Sequence, residues 1–188
     1  MFVFGIPVLE IIALISGVLG VWLTIKENIW CWPVSIIAVL ASVAEFYEQR
    51  LFGDMGLQIF YLGAAIYGWY FWNKNKQKKF EVKKTPTKLI PLLMLATLSQ
   101  TILFYFLINF LKGDRALFDA TLTACSLTAT YMMTKKWVEN WLAWVLIDGA
   151  YVILYSVKFM WGFACLYLFF TIIAFYGWIK WRRTISLK

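Results

Sequence analysis

The side chains best suited to chemistry in this sequence lie on one face of an apolar segment near the C-terminal end. Two indoles, one carboxylate and two phenols follow steps of three, four, three and four residues, which places them on one stripe of a helix. They are Trp141, Trp144, Asp148, Tyr151 and Tyr155. Aromatic faces attract cations, and a carboxylate binds a positive charge or a hydroxyl. The stripe therefore predicts a site for a flat, cationic, hydroxylated ligand.

Asp148 is the strongest indication of function within this stripe. An ionised side chain at the centre of a membrane helix costs about 2.5–3.5 kcal/mol, and Asp148 lies near the middle of its apolar segment. The corresponding stripe in the first half of the chain, identified by a repeat described below, has only one Trp among apolar residues. This asymmetry favours a binding site, and a buried polar contact between two helices is the alternative.

Polar side chains in other segments could complete such a site. One group lies in the third apolar segment, a second lies in the fifth, and an Asn stands at the start of the second and of the sixth. Small hydroxyl residues are also common between packed membrane helices, so they are weaker evidence. The predicted substrate-binding residues are Trp141, Trp144, Asp148, Tyr151, Gln58, Asp119, Tyr61, Asn28 and Asn140.

Metal and cofactor chemistry is not expected from this composition. The chain has no histidine, and Cys31, Cys125 and Cys165 stand alone in apolar segments, where they suit packing. The sequence shows no paired-carboxylate motif of the kind that general acid–base catalysis uses. We therefore expect neither a metal site nor a cofactor, and we do not expect an enzyme.

The apolar segments themselves predict an all-α integral membrane protein. Of the 188 residues, 62% are hydrophobic and 20% are aromatic, and the mean hydropathy is +0.72. A helix that crosses a bilayer needs roughly 20 apolar residues. The first segment has no basic region and cleavage site, so we interpret it as a retained span. Seven transmembrane helices are predicted at 7–25, 29–46, 55–72, 89–111, 116–134, 139–157 and 162–181.

The basic residues predict the orientation of these spans. The loop at 74–88 has seven lysines, and placing it in the cytoplasm puts 14 of the 18 Lys and Arg residues inside. Only Arg50, Lys112, Arg115 and Lys158 then lie outside. The N-terminus is predicted outside and the C-terminus in the cytoplasm. The net charge of +8 is explained by contact with anionic lipid, and no nucleic-acid partner is expected.

Two short motifs occur in both halves and predict an internal repeat. E-N-x-x-x-W begins at Glu27 and again at Glu139, and Y-G-W-x-x-W begins at Tyr67 and again at Tyr176. The first pair is 112 residues apart and the second 109. The E-N pairs should seat an Asn amide at each helix entrance. Interfacial aromatic belts are expected to include Trp69, Trp72, Trp178 and Trp181.

The repeat predicts a 3+1+3 arrangement of two parallel three-helix repeats joined by a linker helix. An odd number of linking spans orients both repeats the same way, and such proteins place a substrate site near mid-membrane between the repeats. The predicted divisions are a first repeat at 1–73, a basic cytoplasmic loop at 74–88, a linker helix at 89–111, a second repeat at 112–183 and a cytoplasmic tail at 184–188.

At several of these motifs the sequence resembles the Pnu family of bacterial vitamin transporters. The matching stretches are Leu51–Asp54 with Leu57–Gln58, Tyr67–Trp72, Phe118–Asp119 and Lys136–Trp144, and the resemblance extends over roughly 5–183. It implies a 3+1+3 fold like that of a full-length sugar transporter of the SWEET type. It also implies that Trp141, Trp144, Asp148 and Gln58 contact substrate, and that the chain could assemble as a trimer.

The resemblance implies facilitated diffusion of an unphosphorylated vitamin across the bacterial inner membrane, which a cytosolic kinase then traps. Nicotinamide riboside carriers of the family have Asn where this chain has Asp148. Both nicotinamide riboside and thiamine have a positively charged aromatic ring that suits a carboxylate, so both stay open, and neutral riboflavin is less favoured. A vitamin-binding membrane subunit of an ATP-driven importer is a further alternative.

Overall fold

The computed structural model of the chain describes residues 2–3, 6–48, 52–76, 80–110 and 116–186. The described residues form seven α-helices, a single 3₁₀ turn at Thr87–Leu89, and a short antiparallel ribbon of β1 (Phe2–Val3) and β2 (Ile6–Pro7). The helices are α1 (Val8–Ile25), α2 (Cys31–Glu48), α3 (Phe52–Asn75), α4 (Ile90–Phe110), α5 (Ala116–Thr134), α6 (Asn140–Val157) and α7 (Trp161–Ser186).

These helices confirm the seven apolar segments as helical. By length and composition, five of the helices in the described part of the chain can cross a membrane, namely α1, α2, α4 with its preceding 3₁₀ turn, α6 and α7. Helices α3 and α5, of 24 and 19 residues, are long enough but more polar. Crossing by α3 and α5 therefore stays a prediction. Of the basic residues used for orientation, Arg50, Lys78, Lys79, Lys112, Arg115 and Lys188 lie outside the described residues.

The chain divides into two compact units, Met1–Phe80 and Glu81–Lys188. In the first unit, α2 packs against both α1 and α3. In the second, α4 packs against α5, α5 against α6, and α6 against α7. The helix predicted as a linker is thus a packed member of the second unit, while the 3+1+3 arrangement and its predicted divisions stay predictions.

The turn between the first two helices of the first unit has the same backbone structure as the turn between α5 and α6. Glu27 and Lys136 occupy the left-handed region, with φ of 54° and 53°. The Glu27 N–H donates to the carbonyl of Thr24 at 2.9 Å, and the Lys136 N–H donates to that of Met133 at 3.0 Å. Every one of these positions is shifted by 109 residues between the units.

A second repeated structure follows the same shift. In the first unit, the Trp32 ring lies against Gly68 and meets Trp72 edge to face. In the second unit, the equivalent Trp141 ring lies against Gly177 and meets Trp181 edge to face. Glycine is required at both places because a Cβ at Gly177 would come within 2.7 Å of the Trp141 ring, and one at Gly68 would also meet the Trp32 ring.

The predicted pairing of the two E-N motifs is therefore wrong. The structural shift of 109 residues makes Asn28 equivalent to Trp137, and Asn140 equivalent to Cys31. The letters E-N-x-x-x-W coincide at a shift of 112, but positive φ and close glycine contact determine which residues share a place. With the correct shift, the residue equivalent to Asp148 is Val39, so the acidic position still occurs in one unit only.

The aromatic residues at the helix ends divide into buried and interfacial positions. Trp72 and Trp181 are buried inside their own units, so their predicted place in an aromatic belt is wrong. Cations instead lie over rings one turn earlier at the C-terminal ends of α1, α3, α5 and α7. These pairs are Lys26 on Trp22, Lys74 on Tyr70, Lys135 on Tyr131 and Arg182 on Trp178, at 5.0–5.6 Å from the ring centroids.

Candidate functional site

The predicted stripe lies along α6, on the side of this helix that contacts its neighbours in the second unit. Asp148, the ninth residue of α6, is only 8% exposed. Its carboxyl group has no hydrogen-bond or ion-pair partner within the described parts of the chain. A buried carboxylate without a partner is costly, and in natural proteins such groups usually bind something. Asp148 is thus the most informative residue of the site.

Trp141, one end of the stripe, is a packing residue in this structure. Its ring is 2% exposed and meets Trp181 at a centroid distance of 5.3 Å with an interplanar angle of 87°. Trp32 and Trp72 repeat this geometry in the first unit, at 5.4 Å and 88°. Because a unit without the acidic residue has the same pair, the burial of Trp141 is explained by helix packing. A substrate contact by Trp141 stays a prediction.

Trp144 and Tyr151 flank Asp148 on the preceding and following turns of α6. Both are half-buried and pack against a cluster in which Leu122 and Ala129 of α5 meet Ile147 of α6. This packing restricts the rotamers of both rings, so they can present fixed faces to a ligand held at Asp148. The α5–α6 contact thus positions the aromatic part of the site.

Four aromatic rings from α6 and α7 form a stack beyond Asp148. Tyr151 stacks on Tyr167 with centroids 4.6 Å apart, and Tyr167 stacks on Tyr155 at 5.4 Å. Phe163 then stacks on Tyr155 at 5.2 Å. Tyr167 and Phe163 did not emerge from the sequence, although they lie four residues apart on one face of α7 and this spacing could have shown them. The stack joins the stripe of α6 to α7.

The polar face of α5 is satisfied mainly within its own helix. Asp119 lies half-buried in the first turn of α5. Ser126 and Thr130 are buried, and the Thr130 hydroxyl donates to the carbonyl of Ser126 at 2.8 Å. The Thr128 hydroxyl lies 2.7 Å from that of Thr97 on α4. These bonds fit the role of small hydroxyl residues in helix packing, while a ligand contact by Asp119 stays a prediction.

The two predicted Asn residues make local bonds. The side-chain oxygen of Asn28, which is exposed, accepts from the N–H of Trp30 at 3.0 Å. Asn140 is 0% exposed, and its side-chain amide donates to the carbonyl of Trp137 at 2.6 Å. Both bonds shape the turns that precede α2 and α6. Each Asn does lie at a helix entrance, but with different partners and at different places in the repeat.

The remaining predicted site residues belong to the first unit. Gln58 and Tyr61 are half-buried on α3. The side chain of Asp54, on the same side of this helix by its spacing, is outside the described residues. Within the second unit, the structure brings Trp144, Asp148 and Tyr151 together on successive turns of α6. The contribution of Gln58 and Tyr61 to a common site stays a prediction.

A metal is not implied by the side chains that the structure describes. No group of three or more His, Cys, Asp or Glu residues occurs among them. Cys31, Cys125 and Cys165 are free thiols at three separate places. The chemical capacity of the site is that of a carboxylate flanked by aromatic rings, which can bind a cation and can hold a hydroxyl.

Comparison with known proteins supports the same class of protein. Residues 7–183 match the family described as Nicotinamide mononucleotide transporter. The chain is 28% identical to the nicotinamide riboside transporter PnuC of Escherichia coli, with 92% of this chain and 84% of that protein aligned. It is 25% identical to the riboflavin/roseoflavin transporter RibM of Streptomyces davaonensis, with 81% of each aligned.

A solved structure shows that the fold is shared as well. The crystal structure of the vitamin B3 transporter PnuC superposes with a TM-score of 0.76 at 19% identity, with 95% of this chain and 82% of that chain covered. The protein is therefore a multi-pass membrane transporter. It belongs to the nicotinamide mononucleotide transporter family, which confirms the resemblance to the Pnu vitamin transporters.

Proposed function

We propose that this protein carries nicotinamide riboside, or a similar cationic vitamin, across the bacterial inner membrane by facilitated diffusion. The observation that supports this most is Asp148, a buried carboxylate in the middle of α6 without a described partner. A pyridinium or thiazolium ring would supply the missing positive charge. The N-terminus is proposed to lie outside and the C-terminus in the cytoplasm.

The aromatic side chains next to Asp148 suit a flat ring. Trp144 and Tyr151 are held by the α5 cluster, so little side-chain freedom remains to be lost when a ligand stacks on them. Stacking on a cationic ring adds attraction by the ring quadrupole. The carboxylate and the rings thus recognise two properties of one ligand, its charge and its shape.

The transport cycle needs no chemical change to the vitamin in this protein. In a uniport with alternating access, the site faces each side of the membrane in turn, and substrate moves down its own gradient. Phosphorylation by a cytosolic kinase would remove free vitamin and maintain that gradient. We therefore propose a carrier rather than an enzyme.

Thiamine is the second candidate substrate, because Asp148 stands where nicotinamide riboside carriers of the resembling family have Asn. A carboxylate suits any fixed cationic ring, and thiamine has one. Riboflavin is neutral, but RibM is a relative of this chain, so riboflavin belongs in any test. The three vitamins differ in charge and size, which makes them easy to separate by binding.

A thermal-shift panel of the detergent-purified chain tests the proposal. It contains nicotinamide riboside, thiamine, riboflavin and their phosphates. A ligand that binds only the folded state raises the melting temperature. We expect a shift with an unphosphorylated cationic vitamin and little shift with its phosphate, since a second anion near Asp148 is repelled. Equal shifts with the phosphates would contradict the proposed selectivity, and no shift with any vitamin would contradict the function.

A further inference from the structure

We propose that a short segment before α4 positions α6, the helix with Asp148. This segment, which we call the strap, consists of Val82, Lys83, Lys84 and Thr85. It contacts the turn between α5 and α6. The inference rests on the proposed function, since it concerns how the same site is held. Thr85 and Glu139 are positioning residues that act on the substrate through α6.

The side-chain link between the strap and α6 is a doubly bonded carboxylate. The Thr85 N–H and the Thr85 hydroxyl both donate to one oxygen of Glu139, at 2.7 and 2.6 Å. Glu139 is the residue that immediately precedes α6. Hydrogen bonds to an ionised acceptor are shorter and stronger than neutral ones. The carboxylate therefore fixes the strap to the start of the helix.

Backbone hydrogen bonds reinforce this link from the other side of the turn. Lys83 and Trp137 form a parallel β-bridge. In this bridge the Lys83 N–H donates to the carbonyl of Lys136 at 3.0 Å, and the Val138 N–H donates to the carbonyl of Lys83 at 2.9 Å. Val82 and Thr85 are 6% and 7% exposed. The strap is thus paired and half-inserted, rather than a solvated loop.

The equivalent turn of the first unit is closed in another way. There the residue equivalent to Glu139 is Trp30, whose N–H bonds to the side chain of Asn28 within the turn. Both Asn28 and Trp30 are exposed. The α5–α6 turn, which leads into the helix with the acidic site, is instead held by a segment 54 residues away in sequence. This difference indicates a role specific to that helix.

Helix geometry connects the strap to the site. Asp148 lies nine residues after Glu139, which is about 13 Å along a helix at 1.5 Å per residue. A helix transmits a shift or rotation of its first turn to the rest of its length. When the strap bonds are lost, fewer molecules hold the stripe in its binding position. The apparent affinity then falls in proportion to that fraction.

Removal of one hydroxyl group tests this role. Thr85→Val keeps the shape and the backbone N–H of Thr85 but removes its hydroxyl donor. We expect the Kd for nicotinamide riboside and the KM of its uptake to rise about tenfold, with a smaller change in the maximal rate. Thr85→Ser keeps the hydroxyl and should restore the affinity. Thr87→Val makes the same chemical change at an exposed threonine and should leave the affinity unaltered.

Hydrogen–deuterium exchange over residues 138–148 gives a readout that does not need a substrate. It should be faster in Thr85→Val than in the wild type or in Thr87→Val. Unchanged affinity and exchange would overturn the inference, as would a lower melting temperature with unchanged affinity. If Thr85→Val does not fold, Glu139→Gln, which keeps an acceptor without the charge, replaces it with the same expected results. If the wild type binds no vitamin, the proposed function fails, and exchange alone decides whether the strap positions α6.

Discussion

Trp141 meets Trp181 edge to face inside the second unit, with their ring centroids 5.3 Å apart. The pair forms where α6 crosses α7 at Gly177, and Trp32, Gly68 and Trp72 reproduce it in the first unit. The repeated contact fixes the crossing of two helices in each unit. The acidic site is built on one of these two frames, seven residues after the Trp of the second.

Gly177→Ala is predicted to destabilise the protein. Its Cβ would come within 2.7 Å of the Trp141 ring, and overpacking of this kind typically costs about 1–3 kcal/mol. Gly68→Ala should have a similar effect through Trp32. Gly63→Ala is the matched control, because nothing lies within 4 Å of its Cβ position. Thermal unfolding in detergent measures all three, and an equal melting temperature for the three variants would refute the packing account.

The two indoles of the α6 stripe should have separable effects. Trp144→Ala is predicted to weaken vitamin binding by one to two orders of magnitude, on the order of 1–3 kcal/mol of stacking, with little loss of stability. Trp141→Ala should instead lower the free energy of unfolding by about 3–5 kcal/mol, because it empties a buried site. Binding titrations and thermal unfolding of both variants make the comparison. Trp69→Ala, which removes an exposed Trp, is the control. Unchanged affinity in Trp144→Ala would count against stacking.

Asp148→Asn should separate charge from hydrogen bonding. The amide keeps an acceptor oxygen but cannot neutralise a cationic ring, so binding of nicotinamide riboside and thiamine should weaken by more than that of neutral riboflavin. Isothermal titration with the three vitamins measures the difference. A uniform loss for all three would show that the carboxylate acts through shape or folding rather than through its charge.

Asp148→Ala should abolish uptake while the protein remains folded and inserted in the membrane. The Ala variant removes a buried group without a described partner, so its cost to folding should be small. Uptake assays in cells with matched expression levels test this. Glu48→Ala, at the exposed end of α2, is the control for loss of an acidic side chain. Normal uptake by the Asp148→Ala variant would remove Asp148 from the site.

The helices and the acidic stripe could be predicted from the sequence because both depend on local patterns. Apolar runs located all seven helices to within a few residues, and steps of three and four placed Trp144, Asp148 and Tyr151 on one face. The repeat register could not be found from the E-N motif. It depends on the positive φ of Glu27 and Lys136 and on Trp–glycine contacts between helices, and neither property is visible in matching letters.

The strap escaped the sequence for a similar reason. A lysine-rich segment with one proline has the composition of a solvated loop, and 74–88 was accordingly predicted as one. The bond between Thr85 and Glu139 joins residues 54 positions apart, and such long-range pairs leave no local periodicity. The stack of Tyr167 and Phe163 on α6 is also a contact between helices. The sequence thus indicated the site itself but little of what holds it.

Uptake of labelled nicotinamide riboside into liposomes that contain only the purified chain tests the central claim most directly. Without nucleotide, ion gradient or membrane potential, the wild type should bring the internal concentration up to the external one and no further, and excess unlabelled vitamin outside should drive the label's exchange. Liposomes with Asp148→Ala should remain at the background of empty vesicles. A wild-type chain that admits no cationic vitamin, or that requires an added ATP-driven partner to do so, would contradict the account.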